Sequence, residues 1–137
     1  MRRSVFLVFL CVLFLTGCSS LNFSLHNKGR DSLTCYANNR RIGETFNKER
    51  ISDFSKLITH DKYTKVKQGI IPTGAKQSYT YVLHKASHNI TMRVIVYSNA
   101  QYAKLKNVPV VGNGEIKLVT ADFNNLNRPH MILTNRS

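Results

Sequence analysis

Side chains that could transfer a proton or bind a metal are few in this sequence, and their spacing matches no catalytic or metal-binding motif. They are Asp31, Glu44, Glu49, Asp53, Asp61, Glu115 and Asp122, with His26, His60, His84, His88 and His130. His84 and His88 are four residues apart, but they flank a predicted turn and so do not share a helix face as helical zinc ligands do. We therefore expect no catalytic residue and no metal site, and a protein that is not an enzyme. An acid–base pair assembled only in space stays open as an alternative.

The three cysteines are the other reactive side chains, and they lie in different surroundings. Cys11 is inside an apolar run, Cys18 follows that run, and Cys35 lies in the segment SLTCYANN. Leu33, Cys35 and Ala37 occupy alternate positions, which is typical of a half-buried strand. Cys35 is therefore predicted to be a buried strand residue, with an intermolecular disulfide as the alternative.

The N-terminus has the features of a signal peptide. Arg2 and Arg3 precede residues 5–15, eleven residues without a polar side chain. A membrane-spanning helix needs roughly 20 apolar residues, whereas the apolar core of a signal peptide needs roughly 7–15. The chain becomes polar after Ser19. Residues 1–17 are therefore predicted to be a signal peptide, and residues 18–137 a single mature domain.

The end of this segment, Leu15-Thr16-Gly17-Cys18, resembles the lipobox of bacterial lipoproteins. The resemblance implies cleavage before Cys18 and a lipid joined to its thiol, with no other cofactor. Two or more acyl chains anchor a protein stably at a bilayer surface. Ser19 stands where an Asp commonly retains such proteins in the inner membrane, so the analogy implies the outer membrane, facing the periplasm. An ordinary signal peptide with a chance cysteine is the alternative.

The mature chain is basic. Of 20 Lys and Arg, only Arg2 and Arg3 leave with the signal, so 18 remain against 7 Asp and Glu, a formal charge of +11. Such a balance favours anionic lipid surfaces or acidic partners. Basic and aromatic residues alternate in HDKYTKVKQ and AKQSYTYVLHK, a composition that can bind single-stranded nucleic acid. Their spacing is that of strands, and the compartment is extracytoplasmic, so we expect no nucleic-acid partner.

Alternating apolar residues predict a mainly β fold. About eight short strands are expected at residues 21–25, 33–38, 63–71, 78–84, 89–97, 107–111, 115–120 and 130–134, the first two as a hairpin. Residues 112–114 read as a tight turn and 122–130 as a polar loop. One helix is predicted over residues 48–59, because Ile51, Phe54 and Ile58 fall at helical spacing and Asn47 can cap its start. Together these elements predict a small two-sheet β-sandwich with one inserted α-helix.

Five segments follow one another in a characteristic order. They are Leu15-Thr16-Gly17-Cys18, Phe54-Ser55-Lys56-Leu57, Ile71-Pro72-Thr73-Gly74, Met92-Arg93-Val94-Ile95-Val96-Tyr97 and Asn107-Val108-Pro109-Val110. This order resembles the TssJ family, the outer-membrane lipoproteins of type VI secretion systems. The resemblance implies a β-sandwich that anchors a secretion complex and binds the periplasmic domain of an inner-membrane protein, TssM. It implies no small-molecule substrate.

In the TssJ family the loop between the first two strands contacts TssM. Carried over, the partner-binding loop of this chain consists of Asn27, Lys28, Gly29, Arg30 and Asp31. The alternative function is that of another small periplasmic binding lipoprotein, such as a lysozyme inhibitor or a conjugation exclusion factor. Lysozyme-inhibitor lipoproteins usually carry a disulfide, which a mature domain with Cys35 as its one free thiol cannot form internally.

Overall fold

A computed structural model of the protein describes residues 29–59, 63 and 65–134. Six antiparallel strands form one open sheet in the order β2-β1-β3-β4-β5-β6. The strands are β1 Ser32–Ala37, β2 Arg40–Thr45, β3 Gln77–Lys85, β4 Ile90–Tyr97, β5 Tyr102–Val108 and β6 Gly112–Lys117. The helices are α1 Lys48–Thr59, α2 Thr120–Leu126 and α3 Pro129–Leu133, and a 3-10 turn, Ala86–His88, joins β3 to β4.

Helix α1 confirms the helix predicted over residues 48–59. The Asn47 carboxamide oxygen accepts the backbone N–H groups of Glu49 at 2.9 Å and Arg50 at 3.1 Å, which are groups that a helix start leaves without an intrahelical partner. Ile51, Phe54 and Ile58 are buried. The apolar stripe of α1 therefore packs on the sheet, and its charged residues face outward.

The core lies between the helices and one face of the sheet. Cross-strand pairing places alternate residues of neighbouring strands on this face, including Leu33, Cys35, Tyr81, Leu83, Val94, Val96 and Leu105. The Phe54 and Tyr81 rings pack with centroids 5.1 Å apart, and the Tyr81 hydroxyl donates to the Leu126 carbonyl at 2.6 Å. The burial of Cys35 in β1 confirms that prediction. The opposite face carries Thr34, Arg93, Lys104 and Lys106 together with Val82 and Ile95, so it is mixed in polarity.

The predicted mainly β fold is confirmed, but the described part of the chain contains one sheet of six strands and not the expected two-sheet sandwich of about eight. Helices cover the apolar face where a second sheet was expected. Residues 130–134 lie in and just after α3, where Pro129 supplies the fixed φ that suits a first helical turn. Most of the predicted polar loop at 122–130 is helical too, and Leu126 of α2 reaches the core.

Three further segments differ from prediction. The strand expected at 107–111 lies earlier, as β5, because Asn107 and Val110 have positive φ and turn the chain. The turn expected at 112–114 begins β6, and β2 was not predicted. The strand expected at 21–25 lies outside the described residues. Its expected partner, β1, already pairs with β2 on one side and β3 on the other, so β1 has no side left for that hairpin.

The strand predicted over residues 63–71 is reduced to one bridge beside β6. The backbones of Lys67 and Glu115 exchange two hydrogen bonds of 2.9 and 2.8 Å. The Glu115 carboxylate then accepts the N–H groups of Ile70 at 2.8 Å and Ile71 at 3.2 Å. These N–H groups point to a side chain rather than to a neighbouring strand, so the segment covers the edge of β6 without extending the sheet.

Candidate functional site

Several of the reactive side chains in the described residues make contacts within the fold, whereas His88 and His130 are exposed. Cys35 is fully buried, and burial raises the pKa of its thiol to about 12. Burial and a hydrogen bond to Asp122 raise the pKa of Tyr63 to about 12. The His84 ring shares a hydrogen bond with Thr91 at 3.2 Å. No group of three His, Cys, Asp or Glu side chains among residues 29–59, 63 and 65–134 is placed to hold a metal ion.

The predicted partner-binding loop is only partly described. Asn27 and Lys28 lie outside the described residues, as does the predicted lipid-bearing Cys18. Gly29 and Arg30 are exposed, and the Arg30 guanidinium lies 4.0 Å from the centre of the Phe46 ring. This cation–π contact ties the loop to the segment before α1. No helix in the described part of the chain is both long and apolar enough to cross a membrane.

Asp31, the last residue of the loop, has a structural role. Its carboxylate accepts from the Lys85 ammonium at 3.0 Å and from the Ala86 N–H at 2.9 Å. Partial burial alone would raise the pKa of Asp31, but the hydrogen bonds and positive charge of its partners outweigh this and lower it below its usual value. The chain is therefore fixed to the β3–β4 turn at this point, and Asp31 is committed to holding the start of β1.

An edge strand forms a second candidate surface. Within the described residues, β2 pairs with β1 only, and it carries the exposed side chains of Arg40, Arg41 and Ile42. Ile42 is 48% exposed. A strand paired on one side presents backbone N–H and C=O groups that an extended peptide can join. The edge of β2 is therefore a geometry suited to another polypeptide.

A cleft of about 580 Å³ lies beside this edge. Its lining includes Ile42, Gly43 and Glu44 of β2, Tyr79 of β3, and Arg128, His130 and Leu133 in and before α3. The cleft is open, and it combines apolar, cationic and anionic groups at its surface. These features suit side chains of a bound peptide better than an enclosed small molecule, whose sites are usually deeper and mostly apolar.

Two contacts position helix α3 at the cleft. The Arg50 guanidinium of α1 donates to the Met131 carbonyl at 3.5 Å. The Leu133 side chain lies over Gly43, where its Cδ1 is 2.7 Å from the position that a Cβ would occupy. Glycine at position 43 thus lets α3 approach the sheet edge closely. Met131, on the same helix, leaves 40% of its side chain exposed.

Sequence reasoning missed this surface because its signals are weak. The β2 segment RRIGET has one large apolar residue and a glycine, so alternation alone does not mark it. The segment PHMIL is short and apolar, and a strand was expected at residues 130–134. The dipeptide Asn38-Asn39, both with positive φ, was the available signal, because such a pair favours a tight hairpin turn between β1 and a following strand.

Comparisons of this chain with protein-family models, with curated proteins and with solved structures find no match.

Proposed function

We propose that this chain is a non-enzymatic lipoprotein of the cell outer membrane that docks the periplasmic domain of an inner-membrane, TssM-like secretion component. Lipid on Cys18 would hold it at the membrane, and the folded domain would face the periplasm. The observation that carries the docking role is the edge of β2, which pairs with β1 alone among the described residues, beside an open cleft. The anchor is supported by the lipobox sequence ahead of the domain.

The docking surface consists of the β2 edge and the cleft, together called the β2 surface. An extended partner segment would add a strand along β2 and place alternate side chains in the cleft. Ile42 supplies an apolar anchor, and Arg40 and Arg41 favour acidic residues in the partner. The N-terminal loop is a second contact, because Arg30 is exposed on it.

A second candidate is another small periplasmic binding lipoprotein, such as a lysozyme inhibitor or a conjugation exclusion factor. The single sheet favours it, since the resemblance to the TssJ family implies two sheets. The same β2 surface would serve this function with a different partner. Capture of purified lysozyme in place of a TssM-like domain would support this candidate.

The anchor is tested by labelling cells with a palmitate analogue. We expect label on the membrane-bound wild-type protein and none on Cys18→Ala. This variant should also fail to yield the mature, membrane-bound protein. Labelled Cys18→Ala or unlabelled wild type would contradict lipid attachment at this residue.

The docking role is tested by capturing a purified TssM-like periplasmic domain on the lipidated protein. Ile42→Lys should weaken binding at least about tenfold, because truncating or charging an interface anchor costs more than about 1.4 kcal/mol. Val119→Lys is the matched control, since Val119 is 43% exposed but lies away from the cleft. Loss of binding only in the double variant Lys28→Glu, Arg30→Glu would indicate that the partner contacts the N-terminal loop and not the β2 surface. Equal binding by all variants would contradict both surfaces.

A further inference from the structure

The turn between β5 and β6 presents a fully exposed apolar side chain. Val110 has a relative exposure of 106%, the highest among the exposed large apolar residues of the described chain. Pro109 beside it is also exposed, whereas Val111 is partly buried against the core. We call residues 109–111 the hairpin tip. Val110 is thus a projection of the tip and takes no part in the core.

The backbone of Val110 is in a conformation that valine rarely adopts. Its φ is 70°, in the left-handed region that favours glycine and asparagine. A β-branched side chain there is disfavoured, and its exposure to water adds no burial in return. An outlier of this kind points to an interaction outside the domain. An apolar projection with this geometry suits insertion into an apolar medium.

The hairpin tip lies at the end of the sheet where the N-terminal segment joins β1. Asp31 is bonded to Lys85 and Ala86 of the β3–β4 turn. Arg93 pairs with Lys106 across β4 and β5, so the end of β5 lies beside the start of β4 and this same turn. We call this end the N-terminal end of the sheet. Val119 lies at the opposite end, after β6, which finishes beside the start of β5.

The tether from the predicted anchor also leads to this end. Residues 18–28 separate Cys18 from the described chain, and eleven residues span at most about 36–40 Å when fully extended. A bilayer that holds lipid on Cys18 is therefore within reach of the N-terminal end. Lys48 and Lys106 are exposed at or near it, and anionic headgroups attract such cations.

We propose that the hairpin tip inserts Val110 into the headgroup region of the membrane that carries the lipid anchor. The N-terminal end of the sheet then faces the bilayer, and the opposite end, with Val119, faces away from it. This orientation rests on the proposed lipidation of Cys18 and adds a second, non-covalent contact with the same membrane. The contact fixes the orientation of the domain, which lipid on Cys18 alone does not.

The test uses the lipidated, full mature protein with a fluorophore on one introduced cysteine. Val110→Cys reports on the tip, and Val119→Cys is the matched control at the other end. Cys35 is fully buried and Cys18 carries lipid, so neither competes for the label. In phosphatidylethanolamine–phosphatidylglycerol vesicles, quenching by aqueous acrylamide should be at least about threefold weaker at position 110 than at 119, as for a side chain about 5–10 Å into the interface. Ser87→Cys, in the exposed 3-10 turn, gives a second reporter at the same end.

The outcomes distinguish contact of the hairpin tip with the membrane from contact with another protein. Equal quenching at 110 and 119 in lipidated, vesicle-bound protein overturns the tip insertion and leaves the anchor intact. Protection at 110 that rises with the protein-to-lipid ratio indicates contact with a second copy and also overturns it. If the mature protein made in cells carries no lipid and does not float with vesicles, both proposals are overturned. Protection at 110 without capture of a TssM-like domain supports the orientation and contradicts only the partner.

Discussion

The two edges of the sheet end in different ways. At β6 the chain covers its own edge, because residues 65–71 pair once with Glu115 and donate two further N–H groups to the carboxylate of that residue. At β2 the described residues provide no second strand partner, and the exposed side chains are Arg40, Arg41 and Ile42. An uncovered strand edge is a template for association. Within the part of the chain that the structure describes, β6 is thus covered by the fold itself, whereas β2 keeps one edge without a strand partner.

The closed edge depends on a buried charge. Glu115 is 7% exposed, and its carboxylate holds the Ile70 and Ile71 N–H groups. A charged acceptor makes stronger hydrogen bonds than a neutral one. The segment also approaches β6 closely, since Val66 lies over Gly114. Closure therefore requires specific residues, and we expect substitutions at the β2 edge to cost less stability. This contrast should be visible in the free energy of unfolding.

Glu115→Ala should have the largest effect. It removes the acceptor of two backbone N–H groups, and each buried group without a partner costs about 1–3 kcal/mol. We expect a loss of about 3 kcal/mol, measured by urea denaturation followed by circular dichroism. Glu44→Ala is the control on β2, where the carboxylate accepts from the side chains of Thr34 and Arg41, and should lose about 1 kcal/mol. Equal losses at the two edges would remove the distinction between them.

Gly114→Ala should lose about 2 kcal/mol through overpacking. A Cβ at position 114 would lie 2.6 Å from the Val66 Cβ and 3.1 Å from the Lys67 carbonyl oxygen, which are not free to move independently. Gly43→Ala is the matched control at β2, where the close neighbour is the end of the Leu133 side chain. Leu133 can change rotamer, so this loss should stay below about 1 kcal/mol. The same denaturation experiment on both variants decides the point, and a larger loss at Gly43 would show that α3 is the more rigid neighbour.

Sequence patterns predicted the elements whose periodicity is long and undisturbed. Helix α1 and strand β4 have several apolar residues at regular spacing, and both were placed correctly. The segment that covers β6 was predicted as a full strand over residues 63–71. The sequence of this segment does not show that its backbone N–H groups will bond to a distant carboxylate. Glu115 and Ile70 are 45 residues apart. Contacts of this range, like the packing of α3 on Gly43, depend on the assembled fold.

Tyr63→Phe should cost about 1 kcal/mol near neutral pH, because the hydroxyl donates to Asp122 and accepts the Val119 N–H. Tyr63 precedes the segment that closes β6, so this variant weakens the same edge. The pKa of Tyr63 is raised by burial and then by Asp122, from 10.0 to about 12. The unfolded state therefore loses this proton first, and unfolding free energy should fall between pH 10 and 12.

The same titration supplies the control for Tyr63. Cys35 and Tyr81 also have raised pKa values because they are buried, so the alkaline loss of stability will be reduced in Tyr63→Phe and not abolished. Urea denaturation at several alkaline pH values, with wild type alongside, measures the difference. Identical slopes for the two proteins would mean that the Tyr63 hydroxyl is not held in its protonated form by the fold.

The double variant Arg40→Thr, Arg41→Thr should have the smallest effect on the free energy of unfolding, about 0.5 kcal/mol or less. Both side chains are exposed, and the Arg41–Glu44 ion pair of 3.2 Å is partly solvated. Its effect should appear in association. Charged side chains on an edge strand discourage pairing between copies, so threonines there should promote concentration-dependent dimers in analytical ultracentrifugation. Lys67→Thr, Lys117→Thr changes two exposed lysines at the edge that residues 65–71 cover, and this variant should remain monomeric. Dimers of both variants would trace association to lost charge rather than to the open edge of β2.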